Sequence, residues 1–283
     1  MSNKDKVVYL HTPKTGGGSM EWYFWNQTKH LKTFFLSFNG IDYSHFNDDE
    51  LATKGPKGNK CLIEVIHRDS RIVDTYNASP HFDACRLLLG HTTSSIGDLF
   101  PKYNFEYMMV IREPIERTIS HLCQYSAVPP RTGVGVKFGR NFTQHPKYSP
   151  EYWDFIYDII TKPPVPGLLT HENAYLSNCM SKIIIGSKLS QIDEPIELQY
   201  VKWKAKDIRI STYDNFNEGI QQSFDHFNIP IDMSNNVFAQ KGKPSLNPNK
   251  KKTGKYYGAP QKVIDFVTET NQTDIQFYNW FTS

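Results

Sequence analysis

The stretch VVYLHTPKTGGGSM, residues 7–20, restricts the fold more than any other. Val7–Leu10 is a short apolar run bounded by polar residues, the pattern of a buried strand. It enters a turn holding Lys14, Thr15 and the consecutive glycines Gly16, Gly17 and Gly18. Helix-like sequence follows from Ser19 to about His30, with Met20, Tyr23 and Phe24 on one side. A strand, a glycine-rich turn and a helix start in that order make an anion site. Successive backbone N–H groups point into the turn, and the helix dipole adds positive potential. The glycines let the backbone approach an anion closely and take positive φ. Lys14 adds a full charge at the entrance, and Thr15, Ser19 and the N–H groups after them can donate to phosphate oxygens.

The order is unusual. The common nucleoside-triphosphate loop has its lysine and a Mg²⁺-binding Ser or Thr after the second glycine. Here Lys14 precedes the glycines, and the loop has no Gly-Lys-Ser/Thr run. A metal-dependent ATPase is disfavoured on that ground. A turn that only connects strand to helix is the plain alternative, though three glycines beside a lysine and a threonine suit a connector poorly.

A second stretch, MMVIREPIERTISH at 108–121, repeats the theme. Tyr107–Ile111 reads as an inner strand, Arg112 stands at its C-terminal end, and Pro114 opens a helix carrying Ile115, Ile119, Ser120 and Leu122. Proline is tolerated there because the first-turn N–H has no partner in any case. Open α/β sheets bind ligands at the carboxyl ends of their strands. An arginine with a serine eight positions on makes a good clamp for a phosphate monoester. The competing readings are an ion pair of Arg112 with Glu113 or Glu116, and an ordinary helix position for Ser120.

Elsewhere, Cys61–Ile66, Arg86–Leu89 and Asp207–Ser211 read as strands. Tyr152–Ile160, Ala174–Ile185, Asn215–Phe227 and Gln261–Phe281 read as helices. Residues 37–60 are mostly loop. Segments 127–150 and 239–258 are rich in proline, glycine and lysine, and irregular. Alternating strands and helices predict an α/β, P-loop-type three-layer fold with a central, mostly parallel sheet flanked by helices. No linker divides the chain, so 1–283 is expected to be one domain.

Composition narrows the partners. A net charge of +3 is too mild to indicate nucleic acid and fits a local anionic ligand. Cys61, Cys85, Cys123 and Cys179 are scattered without metal spacing, which favours reduced core thiols. No run approaches a membrane span, and MSNKDK leads straight into a strand, so a cytoplasmic protein is expected, or a lumenal one if a leader has been removed. In the lumenal case the sequons at Asn26, Asn77, Asn141 and Asn271 would matter.

HTPKTGG-x-S after an N-terminal strand, together with IREPIERTIS, resembles the sulfotransferases that use 3′-phosphoadenosine 5′-phosphosulfate (PAPS). The branch it is most similar to contains the heparan sulfate 2-O- and 6-O-sulfotransferases and bacterial relatives. The resemblance implies that Lys14, Thr15, Gly16, Gly17, Gly18, Ser19 and Met20 hold the 5′-phosphosulfate, and that Arg112 and Ser120 hold the 3′-phosphate. The segment LLLGHTTSSIGDLFP, 87–101, looks like the family's strand-end Gly-His segment, which makes His91 the catalytic base. Residues 210–229 and 270–281, with Asp274 and Tyr278, look like the late strand-helix and the closing helix. Gly18 departs from the pattern: relatives often carry Thr or Ser there, so one hydroxyl contact is missing.

Sulfuryl transfer is an in-line displacement in which charge builds on the leaving oxygen, so the protein contributes mainly positioning and electrostatics. Lys14 would stabilise the leaving 3′,5′-adenosine bisphosphate, and no metal is expected. A histidine suits removal of the acceptor's proton near neutral pH. The expected acceptor is a hydroxyl on a saccharide or other polar small molecule, anionic or neutral, met by Arg131, Lys137, Arg140 and Lys147. The lysines of 239–258 would cover the nucleotide, contact an acidic acceptor, or form a solvated charge run. His45, His67 and His81 are further candidates to line the acceptor site. His67-Arg68-Asp69 looks like a kinase catalytic loop, but position 74 is Asp where that motif has Asn. Two other readings stand beside the sulfotransferase: a P-loop small-molecule kinase using ATP and Mg²⁺, and a non-catalytic nucleotide-binding protein.

Overall fold

The structure is a computed structural model that describes residues 5–16, 35–37, 83, 86–90, 92–125, 148–161, 176–186, 195–233 and 256–283. They divide between two compact units.

The first unit is built on one sheet of β1 (Asp5–Leu10), β2 (Phe35–Ser37), β3 (Leu87–Gly90), β4 (Asn104–Ile111) and β5 (Ile208–Thr212). The order is β2-β3-β1-β4-β5, and every neighbouring pair is parallel. Parallel strands covered on both faces read as unbroken apolar runs. Val7–Leu10, Leu87–Leu89 and Met108–Ile111 are such runs, and all are buried. The expected α/β class with a parallel central sheet and helices around it is what forms.

Helix α1 (Ile96–Leu99) follows β3, and further along the chain come α2 (Pro114–Tyr125), α3 (Pro150–Thr161), α4 (Cys179–Ile185), α5 (Leu198–Ala205), α6 (Phe216–Phe227), α7 (Gln261–Thr270) and α8 (Gln272–Thr282). Helix α6 buries Phe216, Ile220, Phe224 and Phe227 against Val7, Tyr9, Leu89, Met108 and Val110 of the sheet. Its apolar residues fall at helical spacing on one face, which is why it lies on the sheet. Gly219 lets it come close: a Cβ there would stand 2.2 Å from the Ser211 Cβ. The helix ends at Asn228, whose φ of 52° lets the Ile229 N–H reach back to the Phe224 carbonyl at 2.8 Å.

The second unit holds α2, α3, α7 and α8. Its core joins Ile119, Leu122 and Cys123 of α2, Tyr152, Trp153 and Ile156 of α3, and Val263 and Val267 of α7.

Two expected helices change shape. The segment expected to be helical from Ala174 begins only at Cys179, because Asn178 takes a left-handed φ of 43°. The final helix expected over Gln261–Phe281 breaks at Asn271 into α7 and α8. The buried Asn271 amide donates to the carbonyls of Leu176 at 2.7 Å and Val267 at 2.9 Å, and its Oδ1 accepts from the Asn178 N–H at 3.1 Å. Asn178 Oδ1 in turn accepts from the Asp274 N–H at 3.1 Å. Side-chain amides thus satisfy backbone groups that an uninterrupted helix would have paired itself. The same burial removes Asn271 as a glycan acceptor in the folded chain. Helix α5, β2 and the short α1 carry no strong periodic signal and go beyond the sequence expectations. The expected helix at Ser19–His30, the strand at Cys61–Ile66, and most of the 127–150 and 239–258 segments lie outside the described residues, as do Asn26, Asn77 and Asn141.

Among the described residues no helix is long and apolar enough to cross a membrane.

Candidate functional site

Strand β1 lies in the middle of the sheet. The chain leaves it toward β2 on one side, while β4 leads to β5 on the other. Strand order therefore reverses at β1, the place where open α/β sheets bind ligands at their carboxyl ends. The segment His11–Gly16 sits there.

Its conformation follows from the sequence. Thr12-Pro13-Lys14-Thr15 forms a turn closed by the Thr15 N–H donating to the Thr12 carbonyl at 3.3 Å. Proline at the second position fits, and the third takes positive φ. That third residue is Lys14, with φ of 71°, where glycine is usual. Gly16 follows with φ of 87°. A left-handed backbone at a long side chain costs about 1 kcal/mol, and such positions concentrate at functional sites. Alternation of right- and left-handed residues also makes the concave row of N–H groups that suits an anion.

The loop rests on aromatic rings. A Cβ on Gly16 would stand 3.0 Å from the Phe216 ring and 3.4 Å from the ring of Tyr213, so glycine alone lets the backbone settle there. Beneath lies Tyr9, wholly buried, its phenol beside the Thr15 hydroxyl. Burial pushes the Tyr9 pKa well above the usual phenol value, with the Thr15 hydrogen bond opposing and Tyr213 adding slightly. The Thr15 hydroxyl donates to the Thr12 carbonyl at 2.7 Å. Both donors of Thr15 are thus turned inward to close the turn, where the sequence suggested phosphate oxygens.

Two other hydroxyls show the opposite condition. Thr12 follows β1 and Thr92 follows β3 at corresponding places. Each is fully buried, and neither side-chain oxygen has a hydrogen-bond partner among the described residues. Buried unsatisfied hydroxyls are costly, so this end of the sheet fits a ligand rich in oxygen. Sequence reasoning passed over both. The available signal was proximity: Thr92 stands next to His91 in GHTTSS, and Thr12 two positions before Lys14 in HTPKTGG.

In the second unit Arg112 is buried and its guanidinium meets Glu116 Oε1 at 2.8 Å. Of the two acidic partners considered for it, the structure selects Glu116. Glu113 caps the helix instead. Its carboxylate accepts from the N–H groups of Ile115 at 3.1 Å and Glu116 at 2.7 Å, just ahead of Pro114 at the start of α2. Ser120 is buried one turn beyond Glu116, and its hydroxyl faces the phenol of Tyr257 at 3.5 Å. Tyr257 stacks on Tyr148, with ring centroids 5.9 Å apart and planes 22° apart. Neither tyrosine carried a sequence signal, since both border breaker-rich segments.

Gly17, Gly18, Ser19, Met20 and His91 lie outside the described residues, as do Arg131, Lys137, Arg140, Lys147, His45, His67 and His81. The described part of the loop, Lys14–Gly16, and the Arg112 and Ser120 positions are the expected site residues whose geometry is on view. Among the described residues no group of three His, Cys, Asp or Glu is placed to hold a metal ion. No protein-family model matches the chain, and no curated protein matches it.

Proposed function

We propose that the chain is a PAPS-dependent sulfotransferase acting on an acceptor hydroxyl of a saccharide or other polar, anionic molecule. The observation that carries this reading is the arginine and serine pair at 112 and 120, both buried, in a chain that already has a glycine-rich anion loop. A nucleotide with a 3′-phosphate uses both features, whereas ATP leaves the second unused. When bound, PAPS supplies the sulfuryl group and a 3′,5′-adenosine bisphosphate leaving group.

The chain's own residues divide the remaining work. The Lys14–Gly16 backbone, with Gly17, Gly18, Ser19 and Met20, holds the 5′ end. The Lys14 ammonium would neutralise charge building on the leaving phosphate. Arg112 and Ser120 fix the 3′-phosphate and so the nucleotide's register. Pairing with Glu116 orients the guanidinium before any ligand arrives, and a dianion must compete with that carboxylate. His91 takes the proton from the acceptor hydroxyl as it attacks. The acceptor is met by the basic residues Arg131, Lys137, Arg140 and Lys147, and by lysines of the 239–258 segment.

Calorimetry with 3′,5′-adenosine bisphosphate, ADP and ATP, with and without Mg²⁺, tests the reading. The bisphosphate should bind best without metal, and Arg112→Ala should remove that preference. Preference for ATP with Mg²⁺ would make the chain a P-loop kinase. Binding of neither would leave a non-catalytic protein. His91→Ala should abolish turnover and spare nucleotide binding; retained turnover would take the base role from His91.

A further inference from the structure

We propose that Tyr257 is a third ligand-binding residue at the Arg112 and Ser120 positions, its phenol donating to the same phosphomonoester oxygen as the Ser120 hydroxyl. This rests on the reading that Arg112 and Ser120 receive a phosphate monoester.

The two hydroxyls face each other at 3.5 Å, and both residues are buried. Tyr257 donates to Ser120 across that distance, but it exceeds the 2.5–3.0 Å of a good O–H···O hydrogen bond, so the bond between them is weak and readily exchanged for a stronger acceptor. An acceptor oxygen lying beside the two would take a hydrogen bond from each. Serine and tyrosine hydroxyls are both able donors, and an anionic oxygen accepts more strongly than a neutral one. The apolar core of the second unit explains why a ring sits at 257, because Tyr257 packs in the cluster of Ile119, Leu122 and Val263. It does not explain the hydroxyl, since phenylalanine would fill the same volume.

The backbone points the same way. Tyr257 has φ of 57° and Tyr148, stacked on it, has φ of 73°. A left-handed backbone is rare for a bulky side chain and costs about 1–3 kcal/mol at each such position. Two adjoining rings held so, with one phenol aimed at Ser120, amount to a preset donor whose direction the stacking fixes. Arg112, Glu116 and Ser120 succeed one another at intervals of four along the start of α2, with Tyr257 at the Ser120 end. Charge thus enters from one end of this row and neutral donors from the other.

Calorimetry on the full chain with 3′,5′-adenosine bisphosphate and 5′-AMP separates the possibilities. Tyr257→Phe should weaken bisphosphate binding about tenfold or more, as expected for a lost hydrogen bond to a charged group, and leave 5′-AMP binding unchanged. Its thermal midpoint should match wild type, because the ring and its stacking on Tyr148 remain. In wild type the bisphosphate should also perturb the tyrosine ultraviolet band, and Tyr257→Phe should lack that perturbation. Unchanged bisphosphate affinity in Tyr257→Phe, with the wild-type preference intact, overturns the role of Tyr257 alone. Equal weakening of both nucleotides overturns it too, marking the phenol as structural. If wild type itself does not prefer the bisphosphate to 5′-AMP, the monoester reading of Arg112 and Ser120 falls, and Tyr257 falls with it.

Discussion

On the function proposed above, the loop after β1 and the start of α2 would prepare for an anion in two different ways. The loop uses backbone. Lys14 and Gly16 take left-handed φ, Thr15 ties the turn inward, and Phe216 with Tyr213 support it from below. The start of α2 uses side chains. Arg112 is held by Glu116, Glu113 caps the helix, and Ser120 waits opposite Tyr257. The stability of a backbone site is sensitive to any Cβ and tolerant of charge changes. A side-chain site tolerates shape changes and is sensitive to losing one member of a charge pair. Variants that exploit this difference should give opposite results in the two places.

The largest effect is expected at Lys14, where strain and charge reside in one residue. Lys14→Gly relieves the left-handed cost and should hold or raise stability by up to about 1 kcal/mol. It should also lower turnover by about 10²–10³-fold, the usual loss when a group facing the developing charge is removed. Release of 3′,5′-adenosine bisphosphate from PAPS with an active acceptor measures the rate, and a thermal melt measures stability. If rate and stability fall together, Lys14 is a structural residue and the backbone description of the loop is wrong.

At α2 the pattern should reverse. Arg112→Ala leaves the Glu116 carboxylate with its 2.8 Å partner removed, both side chains being largely buried. Losing one member of such a pair costs about 3 kcal/mol, so the denaturation midpoint should drop along with affinity for the bisphosphate. Replacing Glu116 by Gln in the same chain should recover much of the stability and none of the affinity. Recovery of affinity would show that Arg112 acts only as a counter-ion for Glu116.

Gly16→Ala is the corresponding test of shape. The added Cβ meets the Phe216 ring at 3.0 Å in a backbone of φ 87°. The expected loss is about 1–2 kcal/mol by urea denaturation. Phe216→Leu in the same chain removes the close contact but not the unfavourable φ, so rescue should be partial. Complete rescue would place the whole penalty in the ring contact.

These contrasts also explain what could be read from the sequence. The β1, β3 and β4 cores were legible because a buried parallel strand is an unbroken apolar run, and α2, α3 and α6 because their apolar residues recur at helical spacing. The turn after β1 was legible because glycine follows Pro13 and Lys14 there, and Gly16 takes positive φ for a backbone reason. The break at Asn271 was not, since it depends on Leu176 and Asn178 far away in the chain. Helix α5 was hidden because only Val201 and Ala205 of its residues are buried. The position of Arg112 was legible but its partner was not: Glu113 and Glu116 are both within reach, and capping of α2 by Glu113 decided between them. Thr12 and Thr92 stand out through burial without a partner among the described residues, and Tyr257 through its place opposite Ser120, which no spacing rule reports.

The smallest expected effect lies under the loop and concerns pH. Burial holds the Tyr9 phenol well above its usual value in the folded chain. Below about pH 10 the phenol is neutral in both folded and unfolded chains and contributes no pH dependence. Above that, the unfolded chain releases the proton while the folded one keeps it. The folded state then binds more protons, and stability falls as pH rises, by at most about 1.4 kcal/mol per pH unit from this group. Tyr9→Phe removes that share of the slope, at the cost of the phenol's contact with Thr15 near neutral pH. The variant should therefore be slightly less stable at pH 7 and should close the gap, or pass wild type, between about pH 10 and 11. Tyr107, pushed up to about 12 chiefly by burial, sits in the same sheet away from the loop and serves as the control. Tyr107→Phe should flatten the alkaline slope without altering bisphosphate affinity. Tyr9→Phe should lower that affinity about two- to threefold by loosening Thr15, the effect of a weakened neutral hydrogen bond. Equal affinities in the two variants would mean that the floor of the loop carries weight but does not set its shape.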